Sequence, residues 1–327
     1  MQSAQFVILG PGALGSILAA HLARAGHSVA VLARGQRASD IEQHGLRIHG
    51  LAEFTVPVGV LTDPSRLRSA ECLIVATKTP GTQAALASLR HVQVGVAFSV
   101  QNGLIKDELL AEAFGAGQVL GALANTSGEL LASGEVLFTR NVNLMLGELD
   151  GTASARAGLL AATLDSSGVR SGAVSGILSW EWSKFVAWLA LIGLAVTTRA
   201  VTWRYLGDPD GAWVLVQMVR EAAQVAEAAG IELTEEGAIL PLRTLLSGSD
   251  SQALEAVRAA GKEFAVNAPQ HRMSALQDLE AGRRLEVHET FGDVVRRAKE
   301  RGVRTPLLEA AYHLLAAIDR INSGSPS

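Results

Sequence analysis

Residues 5–15 of the chain read Gln-Phe-Val-Ile-Leu-Gly-Pro-Gly-Ala-Leu-Gly. The apolar run at 5–9 predicts a β-strand, and the stretch rich in alanine and leucine at 16–25 predicts a helix that stops at Gly26. The glycines in between fit the spacing G-x-G-x-x-G, which is typical of dinucleotide-binding domains when it joins a strand to a helix. This stretch therefore predicts the first strand and helix of a parallel α/β sheet.

The glycine-rich turn assigns a role to each of its glycines. We expect Gly10 to form the tight turn, Gly12 to let the backbone approach a pyrophosphate, and Gly15 to let the helix lie close to the strand. The free N–H groups at the start of the helix can then bind phosphate oxygens. The predicted cofactor-binding residues of the turn are Gly10, Gly12, Ala13, Leu14 and Gly15.

The composition excludes several classes of protein. Of the 327 residues, 48% are apolar and 18% are charged, which permits a large core and two domains. The net charge of −4 provides no basic surface for nucleic acid, and the most apolar run, 185–196, is too short to span a membrane. One cysteine, Cys72, allows no intrachain disulfide, and no group of His and Cys has metal-ligand spacing. We expect a cytoplasmic protein with no metal, no membrane partner and no nucleic-acid partner.

The end of the second predicted strand, 27–33, bears on the choice of dinucleotide. An enzyme that uses NAD usually has an acidic residue here to bind the ribose 2′-hydroxyl. This chain has Arg34 and Arg37 instead, and a guanidinium can bind a 2′-phosphate with paired hydrogen bonds. The alternative is that both arginines belong to a solvated loop. Their position at the end of a strand favours NADP(H), with Arg34 as the cofactor-binding residue.

Two further apolar runs, 72–77 and 94–100, predict buried parallel strands. They are followed by Lys78 and Asn102, and ligands of doubly wound sheets bind at the carboxyl ends of the strands. We therefore expect both side chains to point toward the cofactor. The alternative for Lys78 is a surface lysine at a helix start, but a cation there opposes the helix dipole, which favours a ligand contact.

The remaining patterns divide the chain into an α/β half and an all-helical half. We expect a small hairpin within 45–60, antiparallel strands at the sheet edge at 119–126 and 134–147, a helix at 153–165 and a short strand at 169–174. The domain junction is expected at 172–176, which gives a Rossmann-type NADP-binding domain at 1–175 and a helical substrate and dimerisation domain at 176–327. The predicted helices of the second domain are 177–198, 211–229, 234–246, 251–264, 271–299 and 306–321.

The helical half contains candidate chemical groups. Lys184 begins an otherwise apolar helix, and burial lowers the pKa of a lysine, which suits proton donation near neutral pH. The alternative is a lysine that extends along the helix start to reach water. Ser274 and Glu286 lie twelve residues apart, about 18 Å along a straight helix. A break near Gly282 would bring Glu286 nearer, but the pattern alone favours a surface carboxylate.

Six motifs together make the chain resemble the ketopantoate reductase family (2-dehydropantoate 2-reductases). They occur in the order that the family has and cover nearly the whole chain. The motifs are Gly10-Pro11-Gly12-Ala13-Leu14-Gly15, Ala33-Arg34-Gly35, Thr77-Lys78-Thr79, Gln101-Asn102-Gly103, Trp182-Ser183-Lys184-Phe185, and the segment with Ser274, Gln277, Asp278 and Glu286.

The resemblance implies a Rossmann domain, a helical domain and NADPH-dependent reduction of a 2-keto acid at a site between them, as in pantothenate biosynthesis. It implies that Lys184 is the general acid, donating a proton to the oxygen of the C2 carbonyl. Lys78 and Asn102 match residues that line the cofactor and substrate site. Ser274 matches a residue that binds the substrate carboxylate, and Glu286 matches a catalytic glutamate that hydrogen-bonds substrate.

This chain departs from the family where the substrate is expected to bind. Studied members have asparagines four and eight residues after the lysine and another near the next turn, and those positions here are Trp188, Ile192 and Thr202. Tryptophan and isoleucine cannot replace the hydrogen bonds of asparagine. We therefore expect Trp188 and Ile192 to line a site for a 2-keto acid, or a related carbonyl compound, with a more apolar side chain than ketopantoate.

Two other functions stay open on the sequence. One is a related dehydrogenase that acts on a hydroxy acid or an imine, and the other is a non-catalytic NADP(H)-binding sensor. The lost asparagines favour the sensor slightly, whereas Lys184 and Glu286 favour the enzyme. The apolar helical half could also form a homodimer interface.

Overall fold

A computed structural model describes residues 3–323. These residues form two compact units. The first comprises the chain up to Asn102 together with Lys106–Leu178, and the second comprises Gly103–Ile105 and the chain from Ser179 onward. The assignment of the units to cofactor and substrate remains a prediction.

The first unit alternates strands and helices. Its strands are β1 (Ser3–Leu9), β2 (Val29–Leu32), β3 (Leu46–Gly50), β4 (Phe54–Val56), β5 (Gly59–Leu61), β6 (Ser69–Val75), β7 (Gln93–Ser99), β8 (Leu120–Leu130), β9 (Val136–Glu148) and β10 (Ser171–Ala173). Its helices are α1 (Ala13–Arg24), α2 (Gly35–His44), α3 (Thr82–Ala87), α4 (Ile105–Phe114), which begins at the last residue of the short segment grouped with the second unit, and α5 (Ala155–Ser166).

Five strands form a parallel sheet in the order β5-β2-β1-β6-β7. The strands at its centre are apolar on both faces, as a sheet covered by helices on both sides requires. Ile8 and Ile74 on one face and Val7 and Leu73 on the other are at most 1% exposed. This doubly wound sheet confirms the predicted Rossmann-type α/β domain, and the carboxyl ends of β1, β2, β6 and β7 share one edge.

The later strands differ from the sequence prediction, because they form a second sheet rather than the edge of the first. β8 and β9 are antiparallel, as expected, but β9 continues into parallel pairing with β3 and β10, giving the order β10-β9-β3-β4 with β8 on β9. The predicted hairpin is β3-β4 alone, and β5 pairs with β2 in the first sheet. The second sheet packs on the same apolar cluster as α1, to which its two long strands, β8 and β9, contribute buried apolar side chains.

The second unit is helical, as predicted. Its helices are α6 (Ile177–Thr198), which begins two residues earlier in the chain, α7 (Thr202–Gly207), α8 (Pro209–Ala228), α9 (Leu242–Ser247), α10 (Asp250–Asn267), α11 (Ser274–Glu280), α12 (Asp293–Glu300) and α13 (Pro306–Ser323). Among residues 3–323, α6 is the one helix that is long and apolar enough to cross a membrane, judged by length and composition alone. Of its apolar 18-residue window, 78% is buried inside the protein, as in a core helix.

Two helices differ from the predicted ones for local reasons. The helix expected at 234–246 is only Leu242–Ser247, because Pro241 precedes it with ψ at 79°, and a proline restricts the residue before it to non-helical conformations. The helix expected at 271–299 is interrupted: α11 ends at Glu280, and Gly282 follows with φ at +66°. A positive φ ends a helix, and glycine adopts it without strain.

The first unit contains a buried histidine whose environment disfavours protonation. His21 on α1 is 5% exposed, and its Nδ1 lies 2.9 Å from the carbonyl oxygen of Ser167. Its ring makes edge-on contacts with Phe54 and Phe138, and its Nε2 has no hydrogen-bond partner among the described residues. Burial lowers the pKa of His21, the nearby Arg24 lowers it further, and the hydrogen bond to Ser167 opposes the change.

We expect the free energy of unfolding to decrease as the pH falls below about 6.5, the usual pKa of an unfolded histidine. In this pH range the unfolded chain binds a proton at His21, whereas the folded protein, in which the pKa of His21 is lowered, does not. Urea unfolding at pH 7.5 and 5.5 should show a smaller decrease in His21→Phe than in wild type. His313→Gln, which alters an exposed histidine, is the matched control and should keep the wild-type decrease. A wild-type decrease in His21→Phe would contradict this account.

Candidate functional site

The glycine-rich turn between β1 and α1 is built so that only glycine fits at two of its three positions. Gly10 has φ at +91°, and a Cβ there would lie 2.5 Å from Cγ2 of Thr77. A Cβ on Gly15 would collide with the carbonyl oxygen of Gly10. Around Gly12, by contrast, no atom other than those of its chain neighbours lies within 4 Å of the position a Cβ would take. The open side of the loop is therefore at Gly12, where a ligand could approach the backbone.

The start of α1 presents N–H groups without a competing acceptor. Gly12 is the N-cap residue and offers no side chain, and the first turn contains no acidic residue. Ala13 and Leu14 are half-buried there. The N-terminal end of a helix carries partial positive charge, so this arrangement can bind an anionic group.

The start of α2 repeats this arrangement at the end of β2. Arg34 is the N-cap residue in an extended conformation, its side chain caps no N–H group, and the first turn has no acidic residue. Arg34 is exposed, and within residues 3–323 its guanidinium forms neither a hydrogen bond nor an ion pair. A second anion could therefore bind here to a helix start and a guanidinium together.

Arg37, which the sequence placed beside Arg34, is differently situated. Its Nε donates a hydrogen bond of 2.9 Å to the carbonyl oxygen of Pro11, and its two terminal nitrogens donate to Gly134 at 2.7 Å and to Ser16 at 2.8 Å. It also forms an ion pair with Asp40 at 3.0 Å. Arg37 thus belongs to the packing behind the glycine-rich loop.

The carboxyl ends of β6 and β7 are joined by Gln101, a residue that the sequence analysis gave no separate role. Its Nε2 donates to the carbonyl oxygen of Thr77 at 2.9 Å and to Oγ1 of Thr82 at 2.7 Å. The residues that follow the two strands, Lys78 and Asn102, are exposed and half-buried respectively. The first unit thus places both at the sheet edge that holds the glycine-rich loop.

In the second unit, Lys184 lies near the start of the buried helix α6. It is half-buried, while the residues on either side of it, Ser183 and Phe185, are buried. Ser183 anchors this turn, because its Oγ donates to the carbonyl oxygen of Ser179 at 2.6 Å and accepts from the N–H group of Thr234 at 2.7 Å. The ring centroids of Phe185 and Trp188 lie 6.3 Å apart, so aromatic side chains pack beside the helix turn that carries the lysine.

The interruption after α11 changes the expected position of Glu286. The chain turns at Gly282 and is held there by Arg283, whose N–H donates to the carbonyl oxygen of Asp278 at 2.8 Å. Two residues later, the N–H group of Leu285 donates to the buried carboxylate of Asp319 at 2.7 Å. A continuous helix over 271–299 was the wrong expectation, because these bonds fold the chain back.

A small cavity brings four of the predicted substrate residues together. Trp188 and Ile192 from α6 line it with Ser274 from α11 and Glu286 from the segment after the turn. Its volume is about 20 Å³, room for about one water molecule. Most of its remaining lining is apolar, with Phe291 fully buried against it. Trp188 and Ile192 thus occupy space where a shorter polar side chain would leave a wetter pocket.

Two family models match the chain. The model described as "Ketopantoate reductase PanE/ApbA" matches residues 6–151, and its C-terminal counterpart matches residues 176–319. The chain belongs to the ketopantoate reductase family. The resemblance stated from the six motifs is thereby confirmed, and with it membership of a family of oxidoreductases.

Individual ketopantoate reductases are similar over their whole length but modestly so in sequence. The 2-dehydropantoate 2-reductase of Archaeoglobus fulgidus is 28% identical over 95% of this chain and 97% of its own. The crystal structure of the Geobacter metallireducens 2-dehydropantoate 2-reductase has a TM-score of 0.81 at 25% identity, covering 95% and 99% of the two chains. D-mandelate dehydrogenase, solved with NADH and anilino(oxo)acetate, has a TM-score of 0.83 at 18% identity, covering 97% and 99% of the two chains, and shares the fold.

Thr202, the third position at which this ketopantoate reductase homologue lacks an asparagine, is not among the residues that line the cavity. It is 1% exposed, and its Oγ1 lies 2.8 Å from Nδ1 of His271 and accepts from the hydroxyl of Tyr205 at 3.3 Å. Thr202 and His271 thus join the start of α7 to the segment before α11. The described residues contain no group of three His, Cys, Asp or Glu side chains suited to a metal.

Glu289 is a further group in this region that the sequence analysis did not single out. Its Oε2 is buried and has no hydrogen-bond partner among the described residues. Burial raises the pKa of Glu289 and Glu286 raises it further, whereas its own backbone N–H, His288 and Arg284 oppose the change. It lies in one turn of π-helix, His288–Gly292, an irregularity frequent at functional sites. In the sequence, the indication of a shared site was that Glu289 follows Glu286 by three residues, a spacing that places two side chains on one face of a helix.

We expect the half-buried carboxyl of Glu289 to lower the stability of the fold at high pH, when it is ionised. The folded protein holds this proton more tightly than the unfolded chain, so the free energy of unfolding should fall as the pH rises above about 4.3. In Glu289→Gln this decrease between pH 4.5 and 8 should be smaller than in wild type, as measured by urea unfolding. The exposed Glu263→Gln serves as the control, and equal decreases in all three proteins would refute the assignment.

Proposed function

We propose that this protein reduces a 2-keto acid to a 2-hydroxy acid with NADPH. The observation that carries the proposal is the glycine-rich loop: apart from the chain neighbours, no atom lies within 4 Å of the position a Cβ on Gly12 would take, and the first turn of α1 has no acidic residue. Such a loop accommodates a pyrophosphate against backbone N–H groups. Family membership supports the same reaction class.

The start of α2 supports NADP(H) rather than NAD(H). An NAD site needs an acceptor for the ribose hydroxyls at the end of β2, and the chain offers Arg34 instead. A 2′-phosphate could take two donors from the guanidinium and further N–H groups from the helix start. Lys78 and Asn102, at the same edge of the sheet, are proposed to contact the cofactor, Asn102 also the substrate.

The proposed chemistry adds a hydride and a proton across the C2 carbonyl. When bound, the reduced nicotinamide supplies the hydride to C2. Lys184 donates its proton to the carbonyl oxygen, so the C=O bond becomes CH–OH and the lysine is left neutral until it takes a proton from water. Before the transfer, the positive charge of Lys184 stabilises the negative charge that develops on the oxygen.

Ser274 and Glu286 are proposed to hold the substrate on the side of the small cavity. Ser274 would donate its hydroxyl to the substrate carboxylate. Glu286 would accept a hydrogen bond from the product hydroxyl as that group forms. Both line the same cavity, and the turn at Gly282 makes this possible.

Trp188 and Ile192 are proposed to favour a substrate with a more apolar side chain than ketopantoate. Ketopantoate carries a hydroxyl that needs a hydrogen-bonding partner, and a site that lacks such a partner binds it more weakly because the hydroxyl is left unpaired. The two residues offer an apolar surface to the substrate instead.

We expect Lys184→Ala to lower kcat with the best 2-keto acid by about 10²–10⁴-fold, the usual contribution of a general acid. The equilibrium Kd for NADPH should change little. NADPH oxidation followed at 340 nm measures the first quantity, and cofactor fluorescence measures the second. The exposed Lys262→Ala should match wild type in both. Turnover that survives in Lys184→Ala would contradict the assigned role.

We expect wild type to have a higher kcat/KM with bulkier apolar 2-keto acids than with ketopantoate. The double variant Trp188→Asn/Ile192→Asn should shift the ratio of the two kcat/KM values toward ketopantoate by about 10–100-fold, because it restores hydrogen-bonding groups. A steady-state panel on both proteins tests this. Ketopantoate as the best substrate of wild type would refute the proposed specificity.

A second function, a non-catalytic NADP(H) sensor, is favoured by one observation. The cavity that Trp188 and Ile192 line is far smaller than a keto acid. The sensor predicts tight NADPH binding with no turnover on any 2-keto acid, and no effect of Lys184→Ala on binding. The same substrate panel separates the two functions.

A further inference from the structure

We propose that Arg37 is a positioning residue for the cofactor, which fixes the shape of the glycine-rich loop from behind and contacts no phosphate. This inference rests on the proposed function, because the loop is taken to bind a dinucleotide. It gives the two arginines that follow β2 different roles: Arg34 binds the 2′-phosphate, and Arg37 holds the loop that binds the pyrophosphate.

The hydrogen bonds of Arg37 leave little of its guanidinium for a ligand. A guanidinium has five N–H donors, and the bonds to Pro11, Gly134, Asp40 and Ser16 use four of them. A paired grip on a phosphate needs two adjacent free donors. Arg37 could bind one only by releasing the protein groups that it now holds.

The groups that Arg37 holds on one side are the loop itself. Pro11 stands between Gly10 and Gly12, and its carbonyl oxygen accepts from Nε of Arg37 at 2.9 Å and from Oγ of Ser16 at 3.0 Å. Ser16, in the first turn of α1, is fully buried and accepts from Arg37 in turn. Since Pro11 is buried, loss of Arg37 would take one donor from its carbonyl and one from the hydroxyl of Ser16, and the loop could shift to recover those hydrogen bonds.

On the other side Arg37 is anchored to the turn between β8 and β9. Gly134 in that turn accepts from Arg37, and Ser133 accepts from Arg47 at 2.6 Å. Asp40 lies between the two arginines and accepts from both, at 3.0 Å and 2.9 Å. The turn of the second sheet and the start of α2 therefore support the cofactor loop through one network.

Gly134 is a position at which a substitution would disturb this network through Asp40. Its φ is +83°, and a Cβ there would collide with the carboxylate of Asp40, which is the partner of Arg37. Gly151 has the same φ of +83°, but the nearest atom to a Cβ there, Cα of Gly176, would be 3.7 Å away. The two glycines thus allow substitutions with equal backbone strain, of which only one disturbs Asp40.

The test compares the Kd values of NADPH and NADH at 25 °C, by calorimetry, in wild type, Arg37→Gln, Arg37→Lys and Arg34→Gln. Arg37→Gln should weaken both cofactors by the same factor, about tenfold. Arg37→Lys should not rescue binding, because an ammonium cannot reach Pro11, Ser16 and Gly134 with a planar fork. Arg34→Gln should weaken NADPH by about 10–100-fold and NADH by less than about threefold.

A pair of glycine variants excludes a general loss of stability. Gly134→Ala should weaken both cofactors equally, whereas Gly151→Ala should lower Tm by a similar amount and leave both Kd values unchanged. Selective loss of NADPH in Arg37→Gln would make Arg37 a phosphate ligand, and unchanged Kd values in Arg37→Gln would make its role structural only. Either result overturns the proposal. A wild type that binds neither cofactor overturns the proposed function and this inference with it.

Discussion

The first unit depends on the close approach of α1 to β1 at the glycine-rich turn. Helix and strand can meet there only because Gly15 lies against the carbonyl of Gly10, and Gly10 lies against Thr77 at the end of β6. The contact fixes where α1 begins, and so fixes the direction in which its free N–H groups point. Gln101 then joins the ends of β6 and β7 around the same Thr77, so hydrogen bonds from two neighbouring strands support the edge of the sheet that is proposed to bind the cofactor.

In the second unit, the position of Glu286 depends on the interruption of the helix after α11. Continued helix beyond α11 would carry Glu286 along the axis and away from Ser274. The turn at Gly282, held by Asp278 and by the buried carboxylate of Asp319, returns the chain so that both residues line one cavity. In the same region, Glu289 has a buried carboxyl oxygen with no hydrogen-bond partner among the described residues.

The fold could be predicted from the sequence because its signals are local. The apolar runs of β1, β6 and β7 and the helical periodicity after 177 each depend on neighbouring residues alone. The second sheet could not, because the pairing of β9 with β3 and β10 is between distant segments. The break after α11 was visible only as one glycine in a helical pattern, and such glycines are often tolerated.

The residues near the candidate site were easier to identify from the sequence than the roles they have in the structure. The pattern identified Arg34 and Arg37 together, since both follow β2, but a one-dimensional sequence does not show that Arg37 reaches back to Pro11 and across to Gly134. Glu289 was overlooked because a glutamate on a helix is usually solvated. The roles of such residues depend on long-range contacts and on burial, which the spacing of residues in a sequence does not specify.

The most direct test of the account is the affinity of wild type for two fragments that lack the nicotinamide, 2′-phospho-ADP-ribose and ADP-ribose. Both carry the pyrophosphate that the start of α1 is proposed to bind, and only the first carries the group assigned to Arg34 and the start of α2. Calorimetry should find that both bind and that 2′-phospho-ADP-ribose binds at least about tenfold tighter. Equal affinities, or tighter binding of ADP-ribose, would contradict the assignment of NADP(H), and no binding of either would contradict the dinucleotide site itself.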